Sequence, residues 1–471
     1  MHKLYIVFIF CFTLIFSSTA VFAKKDKREK WPDPPKVGVE LSIEDTVYGV
    51  LRNHRNLRGL LENRQVLKHE LKRAQAGFGP KVDVEGSIGP SILSDASTRA
   101  NDLDGTIYTY ASLSARLVQP IWDGFATRSR VREAMSTLFS VNHRMFDAAT
   151  SLSLDAIIAH IDLLRQKRLY QFAQDNINRH KEILRQTQER VSFGADTEAD
   201  VSQAETRLTR AQSYLAEAKA SLSSAESTYF RLTGLRPDKL NEITLPPMVY
   251  KTSEKIYEDA KKNNPKLAAY LQDIKAERAK KELAESTFYP TFNIEAGPSV
   301  SDRAGNRDRW VRSMDVMLTM RWNVFNSGAD VSEINAAYAR MRQARQQMYD
   351  YNDTLKLDIE TTWFAYQSAK DQYQLYSKAC ELSKVTHKAY LEQFFIGRRS
   401  LLDVLDTVSE IYNSSTQAET ARSNVLIGAY RLSALTGLLL PSMKINTRPL
   451  KAQVPIDRPK ANEKFTPGWF K

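Results

Sequence analysis

The chain has 471 residues and a formal net charge of +12, its 67 basic side chains scattered among 55 acidic ones. Scattered charge with no zinc-finger or other nucleic-acid spacing argues against a nucleic-acid partner and reads as solvated basic helix faces. Two cysteines, Cys11 and Cys380, exclude a disulfide framework, so packing must hold the fold.

Lys3, the apolar run 4–16 and the small residues leading to Val21-Phe22-Ala23 have the form of a secretory signal peptide, residues 1–23. An uncleaved anchor is the alternative, disfavoured because the run is shorter than the ~20 residues a spanning helix needs. Cys11 falls inside this segment, and no cysteine stands at the cleavage position to accept a lipid. Residues 24–40 form an N-terminal extension with no assigned role. Beyond it no apolar run is long enough for a transmembrane helix, but a transmembrane strand needs only ~10 residues of alternating polarity.

Residues 42–76 are predicted as one helix, with Ser42 as its N-cap. Two strands follow, 81–90 and 108–121, in which Val82, Val84 and Gly86 alternate with Asp83 and Glu85, and Leu113, Ala115 and Leu117 with Ser112, Ser114 and Arg116. A hairpin resting in water on a helical domain is the alternative; the secretion signal favours the membrane. Residues 126–191 contain no proline and little glycine, which predicts a helix of roughly 100 Å and hence a coiled coil. Gly194 ends it in a left-handed turn, and Asp196 and Thr197 are placed to cap a return helix. That helix carries a heptad seam, Val201, Ala204, Leu208, Ala211, Leu215, Ala218, Leu222, Ala225, Tyr229 and Leu232, in which alanine fills every second place until Tyr229.

The same plan then recurs. Ile121-Trp122-Asp123-Gly124-Phe125-Ala126 aligns with Val324-Phe325-Asn326-Ser327-Gly328-Ala329, and one constant offset carries the match to Leu232-Thr233-Gly234 on Leu435-Thr436-Gly437. A first repeat at 41–236, a linker at 237–253, a second repeat at 254–441 and a tail at 442–471 account for the chain. The second repeat has strands on either side of 301–308, a long helix over 329–395, a turn at Gly397 with Ser400 as cap, and a seam from Val404 to Leu435.

Two fused repeats of helix, hairpin, long helix and return helix behind a signal peptide resemble the TolC outer-membrane efflux family. The most specific piece is Ile396-Gly397-Arg398-Arg399-Ser400-Leu401-Leu402-Asp403-Val404-Leu405-Asp406, which looks like the family's second helix-turn-helix tip. Phe193-Gly194-Ala195-Asp196, leading to Asp200-Val201, resembles the first tip. The resemblance implies a mainly α protein with a transmembrane β part. Three protomers would each give four strands to a twelve-stranded outer-membrane barrel, continuous with a periplasmic helical tunnel closed at its inner end.

It implies site residues too. Asp403 and Asp406 lie three apart on one helix face, and in a homotrimer they would ring the periplasmic mouth with carboxylates that favour cations. Arg399 matches an arginine that ties the second tip to the neighbouring helix pair, and Asp200 matches an acceptor. Phe394 stands where a tyrosine shares that constraint, so the tyrosine's hydrogen bond is missing here. A periplasmic adaptor and an inner-membrane ABC transporter or other pump would dock on Phe193, Gly194 and Ala195 and on Ile396, Gly397 and Arg398, with lipid around the barrel.

No catalytic or metal spacing occurs among the seven histidines, and no phosphate loop or nucleophile elbow, so no enzyme, metal or cofactor is expected. A passive export conduit is the leading reading. Type I protein secretion is preferred as its task because the lipid-acceptor cysteine is missing, with small-molecule efflux second. A periplasmic coiled-coil scaffold is the alternative of another class.

Overall fold

The computed structural model describes residues 40–102, 104–194, 196–236, 239–246, 250–302, 310–447 and 450. The expected signal peptide, the extension up to residue 39, Ala195, Pro237 and Pro247 of the linker, and the tail past 450 lie outside the described residues. Every helix and strand discussed belongs to the unit formed by Pro34–Ile445.

Ser42 caps the first helix as expected: its hydroxyl accepts from the Asp45 N–H, and the Asp45 carboxylate accepts from the Ser42 N–H, both at 3.1 Å. The single helix expected over 42–76 is instead two, α1 (Ile43–Asn53) and α2 (Arg55–Ala76), separated by His54 in an extended conformation. The second repeat breaks at the equivalent place. Asn264 is extended between α6 (Ser253–Asn263) and α7 (Pro265–Glu285). There the cause is visible, since Pro265 forces its predecessor out of helical geometry. Both breaks dock on the end of a return helix, Asn53 Nδ2 donating to the Thr233 carbonyl at 2.8 Å and Asn264 Nδ2 to the Leu435 carbonyl at 2.9 Å.

The strands are β1 (Lys81–Ile92), β2 (Ile107–Trp122), β3 (Thr291–Asp302) and β4 (Trp310–Arg321), with a short helix α3 (Ala96–Ala100) in the first loop. They form one antiparallel sheet in the order β1-β2-β3-β4, so the two hairpins pair through β2 and β3. Gly297 is required at that junction: a Cβ there would meet the Ala115 carbonyl oxygen at 1.9 Å.

The long helices α4 (Ala126–Ser192) and α8 (Ala329–Phe395) have 67 residues each, and the return helices are α5 (Glu198–Thr233) and α9 (Leu401–Leu435). Along α5 the alanine row is the tight one: Ala204 and Ala211 are 1% exposed and Ala225 is 6% exposed, whereas Ala218 is only half-buried. Helix α9 packs on both α8 and α4. It therefore buries a second row beside its seam, including Leu405, Val408, Ala429 and Tyr430. Cys380 is buried on α8, its Sγ 3.2 Å from Ser415 Oγ.

Midway along α4 a buried polar knot joins four segments. Thr46 Oγ1 lies 2.8 Å from both His160 Nδ1 and the Tyr229 hydroxyl, and His160 Nε2 lies 3.2 Å from the Asn241 carbonyl oxygen. A carbonyl can only accept, so Nε2 of His160 carries a proton, and burial lowers the pKa of the ring and favours its neutral form. Beside the knot, Glu242 of the linker pairs with Arg168 and Arg422, which both also reach Glu419.

Candidate functional site

Within the unit Pro34–Ile445 two regions carry the chemistry, the sheet at one end of the long helices and the tips at the other. The register of the sheet puts apolar side chains on one face. Val82 and Val84 of β1 face Leu117 and Ala115 of β2, while Ile294 and Ala296 of β3 face Leu318 and Val316 of β4. The large side chains of this face are bare: Val84, Val316 and Leu318 are 69–70% exposed, and Ile88 and Met314 more so. The opposite face is polar, with hydroxyl pairs Ser87–Ser112 (2.7 Å) and Ser299–Ser313 (2.8 Å) and an ion pair between Arg116 and Glu295. A face of this kind in water would be an aggregation hazard; in lipid it is the expected outer surface of a barrel strand.

At the helix end of the sheet, Trp122 contacts Phe125, Tyr289 and Phe292 edge-on or tilted, and Trp322 and Phe325 are exposed. Aromatic rings at that level suit a membrane–water boundary. Among the described residues no helix is long and apolar enough to cross a membrane.

At the other end, Gly194 (φ 71°) and Gly397 (φ 73°) turn the chain in left-handed conformation. The second turn is closed by the Gly397 N–H on the Phe394 carbonyl (3.0 Å) and the Arg398 N–H on the Gln393 carbonyl (2.9 Å). Open space surrounds both glycines, and Phe193 (86% exposed) and Ile396 (66% exposed) project from the turns beside the exposed Arg398.

Asp403 is held locally. Its carboxylate accepts from Ser400 Oγ at 2.9 Å and lies 3.7 Å from Arg399. Asp406, half-exposed, accepts from Arg207 of α5 at 2.9 Å. Within the protomer Arg399 and Asp200 are not brought together. Arg399 lies over the Tyr390 ring, 4.0 Å from its centroid, and donates to Gln393 Oε1 at 3.0 Å. Asp200 accepts from the Thr197 N–H (3.0 Å) and hydroxyl (2.7 Å), closing the cap of α5. Phe394 is 3% exposed, packed with Ile183, Ala204, Leu401, Val404 and Leu405.

Two participants, Arg190 and Arg207, were not anticipated. Asp196, expected to cap α5, instead pairs with Arg190, and Arg207 supplies a cation to Asp406. An arginine in the last turn of α4 with an aspartate just past the glycine was the available clue. Behind the tip, burial pushes the His180 pKa down to about 4, helped by Arg207 and His387, and burial also lowers His387, which bonds Thr407 at 2.8 Å.

A family model described as outer membrane efflux protein matches residues 47–235 and 256–438, one match on each repeat. The chain belongs to the outer membrane efflux protein family. This efflux-family protein is 21% identical over 403 residues to the outer membrane efflux protein BepC of Brucella suis, covering 84% of this chain and 86% of BepC. It is 21% identical over 434 residues to the outer membrane protein TolC of Escherichia coli, covering 86% of each. Its fold is shared with the solved outer membrane protein VceC of Vibrio cholerae at a TM-score of 0.72 and 16% identity, over 84% of this chain and 96% of VceC. The family member is thus an outer-membrane channel protein with a periplasmic helical part, and not an enzyme.

Proposed function

We propose that the chain is the outer-membrane component of a tripartite export system, a passive homotrimeric conduit that an inner-membrane transporter and its periplasmic adaptor engage at the tips. The observation that carries this reading is the sheet. It has one apolar face and one polar face, and among the described residues β1 and β4 each keep an unpaired edge. Open edges are not tolerated in lipid, so the sheet must be closed by further strands, and copies of the same sheet provide them. The exposed Phe193 and Ile396 beside Gly194, Ala195, Gly397 and Arg398 offer the adaptor an apolar foothold around the turns. Asp403 and Asp406, repeated by the trimer, would line the mouth with acid, and Arg399 and Asp200 would be left to contacts between neighbours.

Type I secretion of protein remains the preferred task, on the missing lipid-acceptor cysteine. The likeness to BepC, an efflux protein by name, supports small-molecule efflux as the second reading. The two part on whether cells lacking the chain lose exported protein or gain drug sensitivity. A scaffold of coiled helices in water would leave the apolar sheet face uncovered.

Single-channel recording in planar bilayers tests the conduit. The wild type is expected to insert and give small, cation-selective currents, and D403A/D406A is expected to lose much of that selectivity. No insertion by the wild type would overturn the conduit.

A further inference from the structure

Arg190 lies in the last turn of α4, before the first tip, and Asp196 lies just beyond the glycine of that tip. The guanidinium grips the carboxylate with two prongs, Nε donating to Oδ2 at 2.7 Å and Nη2 to Oδ1 at 3.0 Å. The same guanidinium sits over the ring of Phe394, 4.7 Å from its centroid, and its Nη1 reaches the Phe394 carbonyl oxygen at 3.5 Å. Phe394 belongs to the end of α8, immediately before the second tip. One side chain therefore joins both flanks of the first tip to the helix that enters the second.

Its neighbours show that this is more than surface charge. Arg185 pairs with Glu182 and Glu189 on the exposed side of α4, contacts that stay within one helix and join nothing. The Arg190 and Asp196 side chains are only 24% and 12% exposed, so solvent screens the pair less, and a bidentate geometry fixes orientation as well as distance. Phe394 has no hydroxyl to bond with, and its ring face takes the cation instead.

We infer that Arg190 is a positioning residue of the gate, a clasp that ties the two tips of a protomer together in the closed state, so that opening requires its contact with Phe394 to break. This rests on the reading of the tips as the closed end of a conduit.

The test compares wild type, R190A, R190K and D196N as purified full-length protein in planar bilayers. D196N removes the partner charge without touching Phe394, and R190K keeps a cation but not the two-pronged bond. The clasp predicts a rise in mean single-channel conductance of roughly twofold or more for R190A, a smaller rise for D196N, and the least change for R190K. Thermal unfolding of each variant is followed in parallel. A variant with a lowered melting temperature but wild-type conductance would make Arg190 a structural brace only and overturn the proposal. A wild type that fails to insert would overturn the conduit reading first, which keeps the two failures distinct.

Discussion

His160 shows how a single side chain makes the helical part sensitive to acid. Burial pushes its pKa down to about 4, outweighing the Asn241 carbonyl and the Glu44 and Glu242 carboxylates that favour the proton. The unfolded chain takes up a proton near 6.5 and the folded chain does not until about 4, so protonation favours unfolding across that window. The stability gained by keeping His160 neutral is complete above pH 6.5 and is lost as pH falls towards 4, a swing of about 3 kcal/mol. Circular dichroism melts at pH 7.5 and 4.5 should differ, and H160Q should narrow the difference; identical melts at the two pH values would refute it. His180, shifted the same way, adds to the acid side of the profile.

At the scale of elements, the alanine row of α5 sets how closely the helices approach. Ala204 is 1% exposed and packs with Phe394, Leu401 and Val404 just behind the tips. A204L should overpack that seam at a cost of about 1–3 kcal/mol, while A218L, at a half-buried place, should cost less. The comparison of their melting temperatures checks the order. These helices were legible in the sequence because their proline-free length and the 3-4 spacing each demanded a coiled coil, and the strands because apolar residues alternated. The break at His54 was not legible, since the first repeat has Arg55 where the second has Pro265, and backbone propensity alone does not stop a helix there. The turns at Gly194 and Gly397 and the Ser400 cap could be read from residue type. The Arg190 clasp could not, because several arginines crowd the end of α4 and only the placing of Phe394, at the end of α8, decides which one it meets.

At the scale of the protomer, α8 carries a stripe with no cover among the described residues. Leu357, Phe364, Leu375, Leu382 and Val385 are 57–68% exposed. Steps of seven and eleven residues keep most of them near one side of the helix, which suits a long interhelical contact. In the trimeric reading this stripe meets a neighbouring copy. F364D/L375E should then yield monomers in cross-linking of detergent-solubilised protein, whereas a persistent trimer would place the interface elsewhere.

The unpaired edges of β1 and β4 bear on how the protein is made. In the trimeric reading the seams of the barrel are formed between polypeptides, so completing the sheet is a reaction of higher order in protomer and slows steeply when synthesis is low. A copy waiting alone carries two templates for wrong pairing. Biogenesis is then a race between encounter and misassembly, one the cell can win by shielding those edges until three copies meet.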